Sequence, residues 1–180
     1  MAVLLTKIEI VDDVLDAHAG PLGADFTGYR NHTYRLANLS AVLGPGRADA
    51  PETFAIAAAF HDLGIWTDRT FDYLQPSIAL ATAYLTRTGR ASATPEITAM
   101  ILEHHKVRTY RGETGWLVEP FRRADWIDVT RGLRTFGVPR AFIRELFARW
   151  PSAGFHRRLV ELSIERVRTG SWNPLPMVRL

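Results

Sequence analysis

Apolar residues recur at helical spacing along most of this chain, in runs that Gly and Pro interrupt, and nowhere do they alternate as a half-buried strand requires. The pattern predicts an all-α fold, an irregular helical bundle. A length of 180 residues closes one core without staples or repeats, so a single domain spanning 1–180 is expected. Thr6 stands three positions before Glu9, a capping-box spacing, and predicts a short helix over 6–18 that ends near Gly20-Pro21. Thr27 is the expected cap of a second helix, which carries Leu36, Leu39 and Leu43 to the stop at Gly44-Pro45-Gly46. A third begins at Pro51, runs through the apolar segment Phe54 to Phe60 and breaks at Gly64. Residues 65–75 have no helical period and predict a loop. Pro76 and Pro95 open two further helices, the first ending at Gly89 and the second carrying Ile97, Met100 and Ile101 on its inner face. Helices over about 117–131, 139–150 and 156–168 follow, ahead of the tail WNPLPMVRL.

Composition removes several kinds of chemistry. With no cysteine, disulfides, thiolate nucleophiles and Cys-zinc sites are excluded, and any metal must sit on nitrogen and oxygen. The net charge is +3, and the arginines are scattered from Arg30 to Arg179 with acids between them, unlike a stripe that tracks a nucleic-acid polymer. No apolar run reaches the roughly 20 residues of a membrane span, and the N-terminus turns acidic where a signal peptide needs a cleavage site. A cytoplasmic protein acting on a small molecule, with no membrane or nucleic-acid partner, is therefore expected. Composition leaves the oligomeric state open.

Four polar residues fall on, or at the end of, surfaces that should face the core. His32 lies four positions before Leu36 on its stripe; His61 and Asp62 end the third helix; Asp125 shares a stripe with Val118, Phe121 and Val129. A buried carboxylate needs a cation, a hydrogen-bond cluster or a raised pKa, and one divalent ion serves both Asp62 and Asp125. Two imidazoles and two carboxylates suit Mn, Fe, Co, Ni or Zn. Each residue also has a plainer reading. His32 alone reads as a hydrogen-bonded core histidine, Asp125 as a partner of Arg122 or Arg123, and Asp128, three positions on, competes with it for the same role. His104 and His105 end the face begun by Ile97 and Ile101, where imidazolium favours a helix C-terminus. Trp66, Phe71 and Tyr73 suit a core lid as well as a stacking wall, and His18 and His156 read as structural.

Taken in order, NHTYRL, AAAFHDLG and RRADW resemble the HD superfamily, whose pattern is an early helical His, a His-Asp doublet ending a later helix, and a distant Asp. The likeness covers about residues 28–130. It implies an HD-type helical bundle with metal ligation by His32, His61, Asp62 and Asp125. It further implies hydrolysis, commonly of phosphate esters of nucleotides, with some members acting on nitriles or activating oxygen at two irons. Members with two metals carry an added His-Pro where this chain has Gln75-Pro76, so one ion is expected. EHHK at 103–106 is similar to the His-His element of those members. The Glu that nucleotidase-type members place three residues after the Asp is replaced by Ile65, and Phe71-Asp72 is faintly similar to the Phe-Glu of cyanamide-hydratase-like members.

The reading that follows is a metal-dependent phosphohydrolase acting on a small anionic metabolite or nucleotide. Asp62 holds the ion and the attacking water, His104 or His105 protonates the leaving oxygen, and Lys106 and Arg108 anchor the anion. Hydration or hydrolysis at carbon is the alternative; an iron oxygenase and a non-catalytic binding module stand behind it.

Overall fold

The computed structural model describes residues 4–44 and 46–168; Pro45 and the tail WNPLPMVRL lie outside them. The described elements are α1 (Glu9–Ala17), α2 (Ala19–Leu22), α3 (Phe26–Leu43), α4 (Ala50–Phe60), α5 (Gly64–Thr67), α6 (Leu74–Arg87), α7 (Thr94–Glu103), α8 (Gly115–Val129), α9 (Arg140–Arg149) and α10 (Phe155–Arg168). Among the described residues there is no strand, and the fold is the all-α bundle that the periodicity predicts. No helix among them is long and apolar enough to cross a membrane.

Neither expected cap closes its helix. α1 starts at Glu9 behind Ile8 with no side-chain cap, so Thr6 does not close a capping box. α3 holds the segment instead: Leu5 N donates to Asn38 Oδ1 (2.8 Å) and Ile8 N donates to Tyr34 Oη (3.1 Å). Thr27 lies inside α3, because the 3-10 turn Gly23–Asp25 runs into the helix and Asp25 already has helical angles. α4 ends at Phe60, not at Gly64, and His61 to Leu63 form a turn leading into α5. The expected loop 65–75 therefore holds most of α5 and the first two residues of α6.

α3 is the central helix, packed between α4 and α8. An unbroken run from Asn31 to Ser40 is buried, which includes His32, Arg35 and Asn38 among the apolar residues. Two close approaches set what surrounds the polar residues. A Cβ at Gly28 would stand 2.9 Å from the Ala153 carbonyl oxygen, so only glycine lets the start of α10 lie on α3. That approach stacks the Phe155 ring on His32 (centroids 4.1 Å, 15°). A Cβ at Gly64 would stand 2.6 Å from the Tyr73 carbonyl oxygen, and Gly64 N donates to Ser77 Oγ (3.0 Å). The start of α6, with Tyr73, is thereby pressed against the His61–Asp62 turn.

Candidate metal centre

His32 from α3, His61 and Asp62 from the turn after α4, His104 and His105 from the end of α7, and Asp125 from α8 converge in the core. His32, His61, Asp62, His104 and Asp125 are buried and His105 is half-buried. The neighbours of the imidazoles fix their tautomers. His61 Nδ1 lies 2.8 Å from the Ala58 carbonyl oxygen and His104 Nδ1 lies 2.7 Å from that of Ile101. A carbonyl only accepts, so each Nδ1 carries the proton and Nε2 is left as the ring's acceptor. His32 Nδ1 is 2.5 Å from Asp128 Oδ2 and donates to it. The Nε2 atoms of His32 and His61 then face each other at 3.0 Å, two lone pairs with no proton between them. Two acceptors at that distance repel, and a cation between them converts the repulsion into two bonds. Adjacent ligands of an octahedral ion with bonds of about 2.1 Å stand roughly 3 Å apart, so the spacing fits a divalent metal.

Asp62 links two such groups. Its Oδ2 is 3.3 Å from His61 Nε2 and its Oδ1 is 3.4 Å from His104 Nε2. His32, His61 and Asp62 form one set of ligand atoms of metal-binding spacing, and Asp62, His104 and His105 form a second. Asp125 closes on both, with Oδ1 3.9 Å from His32 Nε2 and Oδ2 3.5 Å from His105 Nδ1. Asp62 Oδ1, His104 Nε2 and Asp125 Oδ2 are buried and make no hydrogen bond. Orphaned atoms of this kind are costly in a core and are what a bound cation satisfies.

The charges are distributed accordingly. Burial pushes the His32 imidazole down to about 4, against the opposing pull of Asp128, so its Nε2 is a lone pair at neutral pH. His105 is likewise driven well below the usual imidazole range by burial and then by His104. Burial lifts the Asp125 carboxyl to about 8, with His104 opposing and Asp62 and Asp128 adding to the rise. Without a cation Asp125 therefore keeps its proton, and a metal must displace it.

A cavity of about 720 Å³ opens from this cluster between α8 and α10, and His32, Asp62, His105 and Asp125 form part of its lining. Phe71, Tyr73, Trp126 and Phe155 supply aromatic surface, and the Tyr73 hydroxyl is 2.6 Å from His105 Nε2. Trp66 is buried beneath Tyr29 (4.7 Å) and donates to Asp25, so it is core and not wall. His104 is fully buried and does not line the cavity, a place that suits a ligand better than a proton donor to a leaving group. Lys106 and Arg108 do not line the cavity either. Lys106 Nζ lies 3.4 Å from Glu103 and Arg108 is exposed. Gln75 is exposed and belongs to neither ligand set.

Arg122 and Arg123 both pair with Glu119, so Asp125 is free to turn inward. Asp128, read as a rival for Asp125, has a different place. It accepts from His32 Nδ1 and from Arg35, through Nε and through Nη2 (3.0 Å), and the Arg35 charge with these hydrogen bonds holds its carboxyl far below the usual range despite burial. Arg35 is fully buried and its Nη1 donates to the Trp150 carbonyl (2.7 Å). His156 lines the cavity and is braced by Ser152 (2.6 Å) and the Asp128 carbonyl (2.9 Å), whereas His18 only bonds back to Val14 within its helix. Arg35 stands three residues after His32, as Asp128 stands three after Asp125, and that matched spacing was the available signal. Nothing local marks His156. Compared with family models, curated proteins and solved structures, the chain matches none of them.

Proposed function

We propose that this protein is a metal-dependent hydrolase of the HD type. The observation that carries the reading is the pair of bare Nε2 atoms of His32 and His61, 3.0 Å apart beside the Asp62 carboxylate in the core. His32, His61, Asp62 and Asp125 would hold one divalent ion, of Mn, Fe, Co, Ni or Zn, and Asp62, His104 and His105 offer a set for a second. Divalent ions held there supply Lewis acidity and lower the pKa of water to about 7. Asp128 and Arg35 orient His32, and the backbone carbonyls of Ala58 and Ile101 orient His61 and His104. Tyr73 keeps its hydroxyl proton, since burial and then Asp62 push its pKa well up, and it presents that proton at the cavity wall beside His105.

The cavity bears on the choice between phosphorus and carbon. Its only arginines or lysines among the described residues are Arg131 and Arg168, both exposed, and neither of the expected anion anchors faces it. Metal ions can clamp a transferring phosphoryl group as Arg and Lys do, so the choice rests on the largely apolar lining, which suits hydrolysis or hydration at carbon better than the phosphate esters expected from the sequence. The test is a paired screen of the metal-loaded protein, one arm of phosphate esters read by phosphate release and one of carboxylic esters, amides and nitriles. Turnover in the second arm, lost on chelation and in His61→Ala, is the expected result. Turnover confined to phosphate esters reverses the choice of substrate, and metal-independent turnover rejects the reading.

A further inference from the structure

The surface of α10 is at odds with its place at the edge of the bundle. Val160, Ile164 and Val167 are 58, 46 and 52 % exposed, three of the five large exposed hydrophobic residues among the described residues. They recur at spacings of four and three, which places them along one face of the helix. All three line the same cavity that reaches the His and Asp cluster. Trp126 and Val129 of α8 line it as well, with Phe71 and with Phe155, which stacks on His32. An apolar stripe on the outside of a helix is ordinarily a liability to be covered. Here it lines one cavity together with His32, Asp62, His105 and Asp125. A protein partner would need to reach only the stripe, whereas a cavity lined both by this stripe and by the His and Asp cluster calls for an occupant with an apolar body and one polar end.

We propose that the substrate is a small molecule with a hydrolysable polar group joined to an apolar chain or ring, the polar group lying at the cluster and the apolar body between α8 and α10. This rests on the hydrolase reading for the polar end, while the apolar end stands on the lining of the cavity. A volume of about 720 Å³ is within the usual range of pockets that enclose a small ligand. Selection then comes from burial of hydrocarbon, not from charge.

The test uses n-alkyl hydroxamates, from acetohydroxamate to octanohydroxamate, titrated calorimetrically into the full-length manganese-loaded protein. The hydroxamate end binds the metal and the alkyl end probes the cavity. Affinity is expected to rise by about fourfold for each added methylene until the cavity is filled. Val160→Asn and Ile164→Asn replace exposed side chains, so they leave the core untouched, and they are expected to flatten that dependence. Equal affinity across the series overturns the proposal, even if acetohydroxamate binds only with metal and the hydrolase reading stands. Dependence on chain length without turnover of the matching alkyl amides or esters retains the apolar site and removes the hydrolase reading. A dimer in sedimentation that Ile164→Asn dissociates assigns the stripe to a second copy of the chain and overturns the proposal as well.

Discussion

At the scale of single residues, the account turns on which ring nitrogen carries the proton. Asp128 fixes this for His32, and it is itself held ionised by Arg35. Asp128→Asn keeps the shape but can no longer select the tautomer with a charge. It is expected to weaken metal affinity by about 10- to 100-fold while leaving the ligands in place. A metal titration of the variant checks this, and an unchanged affinity contradicts the role. Asp62→Ala is expected to abolish both metal binding and activity, since Asp62 is shared by both ligand sets, and His61→Ala is expected to lose activity and the ion of its own set. Metal content measured after dialysis decides, and wild-type retention in either variant excludes the site. The convergence of His32, His61, Asp62 and Asp125 is legible in the sequence because polar groups on apolar stripes require partners. The support from Asp128 and Arg35 is not, because a carboxylate three residues from a candidate ligand looks like a competitor until its partner on α3 is seen. Nor is the depth of His104, since helical spacing gives the face of a residue and only the structure shows its full burial.

At the scale of elements, helix type and order followed from periodicity and from Pro at the starts of α4 and α7. Boundaries failed where tertiary contacts replaced local caps. Asn38 and Tyr34 serve the start of α1 in place of Thr6, and α5 forms where the sequence has too few residues to display a period. Gly64 matters for how closely α6 approaches rather than for ending α4. A methyl group there meets the Tyr73 carbonyl and Pro76, so Gly64→Ala is expected to destabilise the protein by about 1–3 kcal/mol through overpacking. It should also move Tyr73 away from His105. Denaturant unfolding measures the first effect, and a variant as stable as the parent shows that α6 can shift without strain.

At the scale of the whole molecule, the buried cluster couples stability to pH and to metal. In the metal-free protein Asp125 titrates at about 8, far above its ordinary value, so between about pH 4 and 8 the folded chain binds a proton that the unfolded chain lacks. Stability from this group falls as pH rises through that window. His32, at about 4, and the depressed His105 act oppositely, raising stability only up to the ordinary imidazole range near pH 6.5. Above it Asp125 acts alone among these groups. The metal-free protein should lose roughly 1–2 kcal/mol between pH 6.5 and 8, and the metal-loaded protein, with Asp125 ionised throughout, should not. Denaturant unfolding at both pH values, with and without chelator, checks this; a loss of the same size in both forms contradicts it. The most direct measurement is the metal content of the manganese-reconstituted chain by elemental analysis. Two ions per chain are predicted for the wild type, one for His104→Ala and none for Asp62→Ala. A wild-type chain that retains no divalent ion, or an Asp62→Ala chain that retains as much as the wild type, would contradict the account.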